Sequence, residues 1–395
     1  MRVTTIGAVA EIFDGPHATP TRTTIGPYFL NITSLNNGRL DLAESDHVSD
    51  EDFEKWTRRV TPRAGDLLFS YETRLGEAAL MPAGVDACLG RRMALLRFKE
   101  EQVDPRYFLY YFLSPGFKKL IEARTVHGAT VNRIALSTMA DWPIELPILA
   151  EQQAIAEILG VLDDKIAANR KQADTAGGLV RALFDEASRG LPNSDQSFAD
   201  LALVSGGGTP STSSPEYWDG DINWATPTDI TALTAPYLRS TGRMISVEGL
   251  ANCASKLYPA GSILMTSRAT IGAFAMTEVP TAVNQGFIVV NAEDPQLQWW
   301  LFHEMNSRVA EFTALANGAT FLELSRGRFK ELKVRLPAVG RINEFTAHAS
   351  KLHGSASAAE SESRMLATIR DTLLPQLISG RLRVRDAERQ VEAVL

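Results

Sequence analysis

Cysteine is almost missing: Cys88 and Cys253 are the only two in 395 residues. Two isolated thiols build no disulfide framework and point to a reducing compartment. No apolar run approaches the roughly 18 residues of a membrane-spanning helix. The opening Met1-Arg2-Val3-Thr4-Thr5 lacks the apolar stretch of a signal peptide. A cytoplasmic protein with no membrane association is therefore expected. Histidine is scarce too, and His17, His47, His127, His303, His348 and His353 show no metal-ligand spacing. His348 and His353 stand five apart on a helical pattern and read as solvated. The sequence contains no Gly-x-Ser-x-Gly elbow, His-Glu-x-x-His, Walker lysine or dinucleotide fingerprint. Gly207-Gly208-Thr209-Pro210-Ser211 is too short for a phosphate loop and has no lysine. No catalytic constellation is visible. Positive charge is also in deficit, with a net charge of −7, which argues against binding a polyanion by bulk electrostatics alone.

What the chain does have is itself, twice. Gly65-Asp66-Leu67-Leu68-Phe69-Ser70-Tyr71-Glu72-Thr73-Arg74-Leu75-Gly76 returns as Gly261-Ser262-Ile263-Leu264-Met265-Thr266-Ser267-Arg268-Ala269-Thr270-Ile271-Gly272. Gly128-Ala129-Thr130 returns as Gly318-Ala319-Thr320, and Leu146-Pro147 as Leu336-Pro337. The period is far longer than that of a solenoid, so it implies two similar globular units, each followed by a connector. Hydrophobic content of 45% and charged content of 22% suit about two to three soluble domains. Each unit opens with a short helical pattern (Ile6, Val9, Ile12; Phe198, Leu201, Leu203, Val204) and a Gly/Pro/Thr-rich loop. Short apolar strands follow, Asp66–Phe69 with Ala94–Phe98 and Ser262–Met265 with Gly286–Val290. Helical stretches come last, Pro105–Ala123 and Leu297–Leu315. The expectation is α+β, one mixed sheet per unit with helices packed on it.

The connectors read differently. Ile155, Leu159, Leu162 and Ile166 step by about four, three and four residues, the spacing of a coiled-coil seam that continues through Asn169, Ala173, Ala176, Val180 and Leu183. Asn169 on that seam is suited to fixing register. Gly177-Gly178 inside it predicts a bend or a soft spot, and Pro192-Asn193 closes it. The second connector repeats the register with Phe345, Ala349, Leu352, Ala356, Ala359, Leu366 and Leu373, interrupted by Ser363 and Arg370. Two long antiparallel helices are expected to pair, each about 57 Å long, holding the units apart. The candidate interface is Ile155, Leu159, Leu162, Ile166 and Asn169 against Phe345, Leu352, Leu366 and Leu373. The implied division is 1–147, 148–192, 193–337 and 338–395.

The repeated loop carries the chemistry. Thr266, Ser267, Arg268 and Thr270 offer donors and acceptors that either read base edges and grip phosphates or merely close a turn. Tyr71 and Arg74 in the first copy keep the scaffold but change the tip, which two readers of different sequences should show. Asn284 and Gln285 suit an adenine edge or a structural turn. Arg91 and Arg92, their counterparts, suit guanine, phosphate or solvent. Thr209 and Ser211 in the glycine loop complete this set. Gly128-Ala129-Thr130 and Gly318-Ala319-Thr320 read as helix C-caps with glycine left-handed, Thr130 and Thr320 being kept as DNA-contact candidates.

These residues resemble the specificity subunit of a Type I DNA restriction–modification enzyme. Gly207–Ser211, Tyr217-Trp218-Asp219-Gly220-Asp221-Ile222-Asn223-Trp224, Ser267–Gly272, Asn284–Phe287 and Gly318–Phe321 are similar to one type of that family's target-recognition domain. Glu151-Gln152-Gln153-Ala154-Ile155-Ala156, Leu162-Asp163 and Lys165-Ile166 resemble its central helix, and Leu373–Leu382 its C-terminal helix. The resemblance covers nearly the whole chain, the first unit departing most. It implies a non-catalytic protein whose two domains each read half of a split double-stranded DNA site while the helices set the gap. It also implies two docked adenine methyltransferase subunits that bind S-adenosylmethionine. Restriction/translocase subunits using ATP and magnesium would join them, with no cofactor in this chain. Two other classes compete. The specificity subunit of a related non-Type I restriction–modification enzyme is one; a methyltransferase or nuclease carrying its own specificity half would need an Asn/Asp-Pro-Pro-aromatic tetrapeptide and a cofactor glycine loop, and neither is in the sequence. A helical scaffold would not bind DNA.

Overall fold

The computed structural model describes residues 1–16, 18–128, 131–317 and 322–394. The chain divides into two compact units: Met1–Ile166 with Arg364–Leu395, and Ala167–Ser363. Each contains one copy of the repeat and one segment of each long helix. The helices span Leu149–Ser188 and Val339–Ile378, 40 residues each.

The two copies match strand for strand. In the first unit Ala10–Asp14, Met93–Phe98, Leu67–Ser70 and Ala78–Leu80 form an antiparallel four-stranded sheet in that order. In the second, Ala202–Ser205, Phe287–Ala292, Ile263–Thr266 and Phe274–Thr277 repeat the order, and Tyr237–Leu238 adds a parallel fifth strand. A separate three-stranded sheet accompanies each: Asp46–His47, Thr23–Leu30, Ala87–Leu89 and Met244–Ile245, Trp218–Ala225, Thr281–Val283. The single mixed sheet expected per unit is thus several smaller sheets, because Gly- and Pro-rich connections end each apolar run after a few residues. The expected helix over Pro105–Ala123 is two, Pro105–Leu113 and Pro115–Arg124, because the Ser114 backbone turns extended before Pro115 and Ser114 caps the second helix. Gln298–Ser307 and Val309–Leu315 repeat the break.

Within the first unit, Ile155, Leu159, Leu162 and Ile166 share one core with Leu366, Leu373 and Leu377. The Arg370 interruption is satisfied rather than tolerated. Its Nη1 lies 2.6 Å from Asp163 Oδ1, and Tyr110 Oη donates to the other Asp163 oxygen at 2.7 Å. Gly160 leaves room for the Arg106 guanidinium, which crosses the helix there, donating to Gly160 O and Asp164 Oδ1.

Within the second unit the helix segments run antiparallel, pairing Asn169 with Glu362, Gln172 with Ser355 and Phe184 with Phe345. Asn169 Nδ2 donates to Glu362 Oε2 at 2.8 Å. Phe184, fully buried on Trp300, takes the seam position expected of Leu183. The helix is continuous through Gly177-Gly178. One other expectation fails. Gly128 caps no helix: it follows the strand Thr125–Val126 and has no left-handed φ. The left-handed caps are Gly190 and Gly380, just past the two long helices.

His353 is not solvated. It is 4% exposed, its ring stacked 3.8 Å from Trp299, with Nδ1 2.8 Å from Tyr237 Oη and Nε2 2.9 Å from His303 Nε2. The long helix meets the helix Gln298–Ser307 and the strand Tyr237–Leu238 here, which periodicity along one helix does not report. Burial pushes the His353 imidazole down to about 4. Burial, then repulsion from His353 and Arg181, pushes His303 down to about 3. Both folded values lie below the ordinary 6.5, so the unfolded chain takes up protons first as the pH falls. The stability of the neutral pair is whole above pH ~6.5 and is lost as the pH falls from there toward the folded values. Between pH 7.5 and pH 5 each histidine should cost about 2 kcal/mol. Urea unfolding should show this loss in the native protein and not in His303→Gln/His353→Gln. An equal slope in both would contradict it.

Candidate nucleic-acid interface

The second-unit hairpin between Ile263–Thr266 and Phe274–Thr277 turns through two left-handed residues, Ala269 (φ 58°) and Gly272 (φ 86°). Thr266 and Ser267 are inside this turn. Thr266 is 0% exposed, and its Oγ1 accepts from Ala273 N at 2.9 Å. Ser267 N donates to Gly286 O at 2.8 Å, and its carbonyl accepts from Leu324 N at 3.0 Å. The Thr266 hydroxyl and the Ser267 backbone build the loop, and both residues are buried. The tip that projects is Arg268, Ala269 and Thr270, all exposed. Arg268 Nε lies 2.9 Å from Glu323 Oε1, which aims the guanidinium.

The glycine loop stands beside this tip, pinned by aromatic donors. Tyr258 Oη donates to Gly206 O, Trp224 Nε1 to Gly208 O at 3.1 Å, and Trp218 Nε1 to Ser211 O at 3.0 Å. Arg243 lies 3.6 Å over the Trp218 ring, a cation–π contact that steadies the indole. A Cβ on Gly207 would collide with the Val283 carbonyl oxygen, so only glycine fits. Thus fixed, Thr209 donates from Oγ1 to Gln285 Oε1 at 2.6 Å. Asn284 uses Oδ1 to accept from Gly286 N at 2.8 Å, an Asx-type turn.

Arg268, Thr270, Asn284 and Gln285 line one open cleft, with Thr228 and Thr231 on its other wall. Sequence reasoning missed these two threonines. The signal available was Thr226-Pro227-x-Asp229, a capping box in which Asp229 Oδ2 accepts from both the backbone N and Oγ1 of Thr226. Ser211 is exposed nearby, its Oγ 2.7 Å from Ser213 Oγ. Thr130 and Thr320 lie outside the described residues.

The first unit repeats the backbone and changes the side chains. Tyr71 N donates to Arg92 O and Ile134 N to Tyr71 O, the same bonds made at Ser267. Tyr71 is 5% exposed, and burial raises its phenol pKa above the usual value. Arg74 Nη1 donates to Ile32 O at 2.9 Å, tying the turn to a neighbouring loop. Arg92 is left-handed (φ 74°), its Nε 3.3 Å from Glu72. Arg91 is exposed. The bridge Glu72↔Arg133 occupies the place of Arg268↔Glu323 with carboxylate and guanidinium exchanged.

Among the described residues no group of three or more His, Cys, Asp or Glu is placed to hold a metal, and no helix is long and apolar enough to cross a membrane. The family model of the Type I restriction modification DNA specificity domain matches residues 3–175 and 196–345. The MjaIX specificity subunit of Methanocaldococcus jannaschii is 35% identical over 141 residues, which cover 35% of this chain and only 33% of that protein. The putative MjaX specificity subunit of the same organism is 20% identical over 95% of this chain and 91% of its own length. The HindI specificity subunit of Haemophilus influenzae is 25% identical over 66% of this chain and 64% of its own. The crystal structure of a Type-I restriction-modification system S subunit from M. genitalium shares the fold, with a TM-score of 0.60 at 17% identity over 95% of both chains. With a duplicated α+β unit, paired long helices and a family match across both copies, this chain belongs to the Type I restriction–modification specificity subunits.

Proposed function

We propose that this chain is the DNA-reading, non-catalytic subunit of its complex, each unit reading one half of a bipartite double-stranded site. The two long helices set the spacer and hold two adenine methyltransferase subunits, which bind S-adenosylmethionine. Restriction/translocase subunits that use ATP and magnesium complete the assembly. The observation that carries this reading is the repeated hairpin and loop, with the same backbone hydrogen bonds and opposite charges at its tip. Two readers of different half-sites require the same scaffold with different side chains at the loop, which a scaffold without DNA does not. Methyltransferase subunits would supply many phosphate contacts, consistent with a net charge of −7 on this chain.

The test is equilibrium binding of the chain with its methyltransferase partner to its cognate duplex and to a scrambled one. Cognate binding should be tighter by roughly 10³-fold or more and should weaken linearly in log–log plots against salt. Equal affinity for both duplexes would refute the reading.

A further inference from the structure

We propose that the second-unit cleft reads a guanine, through the O6 and N7 acceptors of a G·C pair. The inference rests on the DNA-reading role above and adds the base. Three side chains at the cleft have their acceptor or inner donor already engaged. Gln285 Oε1 takes the Thr209 hydroxyl, Asn284 Oδ1 takes the Gly286 amide, and Arg268 Nε is held by Glu323. Among the described residues, what each keeps for a ligand is donors: Nε2 of Gln285, Nδ2 of Asn284, and Nη1 and Nη2 of Arg268. Adenine presents one acceptor and one donor in the major groove, so it needs an acceptor beside the donor, and the amide oxygens of Gln285 and Asn284 are both turned to partners inside the loop. Guanine presents two adjacent acceptors and needs only donors. Thr209 is then a positioning residue: it fixes which end of the Gln285 amide faces the cleft. The first unit has Glu72 in the place of Arg268 and Arg91 in the place of Gln285, so its charged groups are arranged differently and need not read the same base.

The experiment uses the full chain with its methyltransferase partner on its cognate duplex, each guanine replaced in turn by 7-deazaguanine. That change removes N7 and keeps Watson–Crick pairing. At one guanine of one half-site, affinity should fall roughly tenfold, the worth of one hydrogen bond from a charged donor. Arg268→Ala and Gln285→Glu should weaken binding to the native duplex and lose the further penalty at that guanine. Thr209→Val should lose part of it, and Thr209→Ser should restore it, which a merely structural role would not do. If no replacement costs the native protein more than about twofold, or if Arg268→Ala and Gln285→Glu keep the full penalty, the proposal is overturned. The native series alone decides it should a variant fail to fold. Failure of the DNA-reading role shows separately, as a native complex that does not distinguish cognate from scrambled DNA.

Discussion

Leu159→Asp should abolish the cooperative unfolding transition of the unit formed by residues 1–166 and 364–395. Leu159 is 0% exposed in a core it shares with Leu162, Ile166, Leu366 and Leu373. Truncating a buried leucine costs about 2–5 kcal/mol through lost transfer energy and the cavity left behind. An unpaired carboxyl in that cavity adds several kcal/mol more, whether it stays charged or takes up a proton to avoid it. The sum approaches the whole stability of a typical domain, about 5–15 kcal/mol. The same change at Leu179, on the same helix but 47% exposed, should stay within about 0.5 kcal/mol. Thermal melts followed by circular dichroism separate the two. Assembly with the methyltransferase subunits should fail for Leu159→Asp in step with folding. A melting temperature unchanged by Leu159→Asp would mean that the helices are not held by this seam.

The seam was legible because apolar side chains at helical spacing report which face must be buried. Ile155, Leu159, Leu162 and Ile166 are where the spacing puts them. Periodicity names the face and not what covers it. Phe184 displaces Leu183 because the Trp300 and Phe345 rings pack against it. His353 is buried because Trp299, Tyr237 and His303 come from other elements. Arg370 reads as an interruption until Asp163 and Tyr110 are seen beside it.

The recognition loop was legible as a location, because a repeated Gly-bounded turn marks a shared scaffold. Which of its side chains face outward was not. Thr266 and Arg268 are both polar in sequence, yet strand pairing and the Thr266–Ala273 bonds turn one inward while the other projects. Thr228 and Thr231 reach the same cleft from a short helix distant in sequence, and nothing local announces that meeting.

The most direct measurement of independent reading is an exchange. Residues 198–336, from the start of the second repeat to its closing Leu336, are replaced by the matching segment of a related specificity subunit, and methylated adenines are mapped genome-wide in a host expressing the complex. Each candidate surface is built within its own copy: the Arg268, Gln285 and Thr209 contacts close inside the second repeat, and the Arg92–Glu72 contact inside the first. One half-site should therefore change completely while the other keeps every base. A map in which both halves change together, or neither does, would contradict two independent readers in one chain.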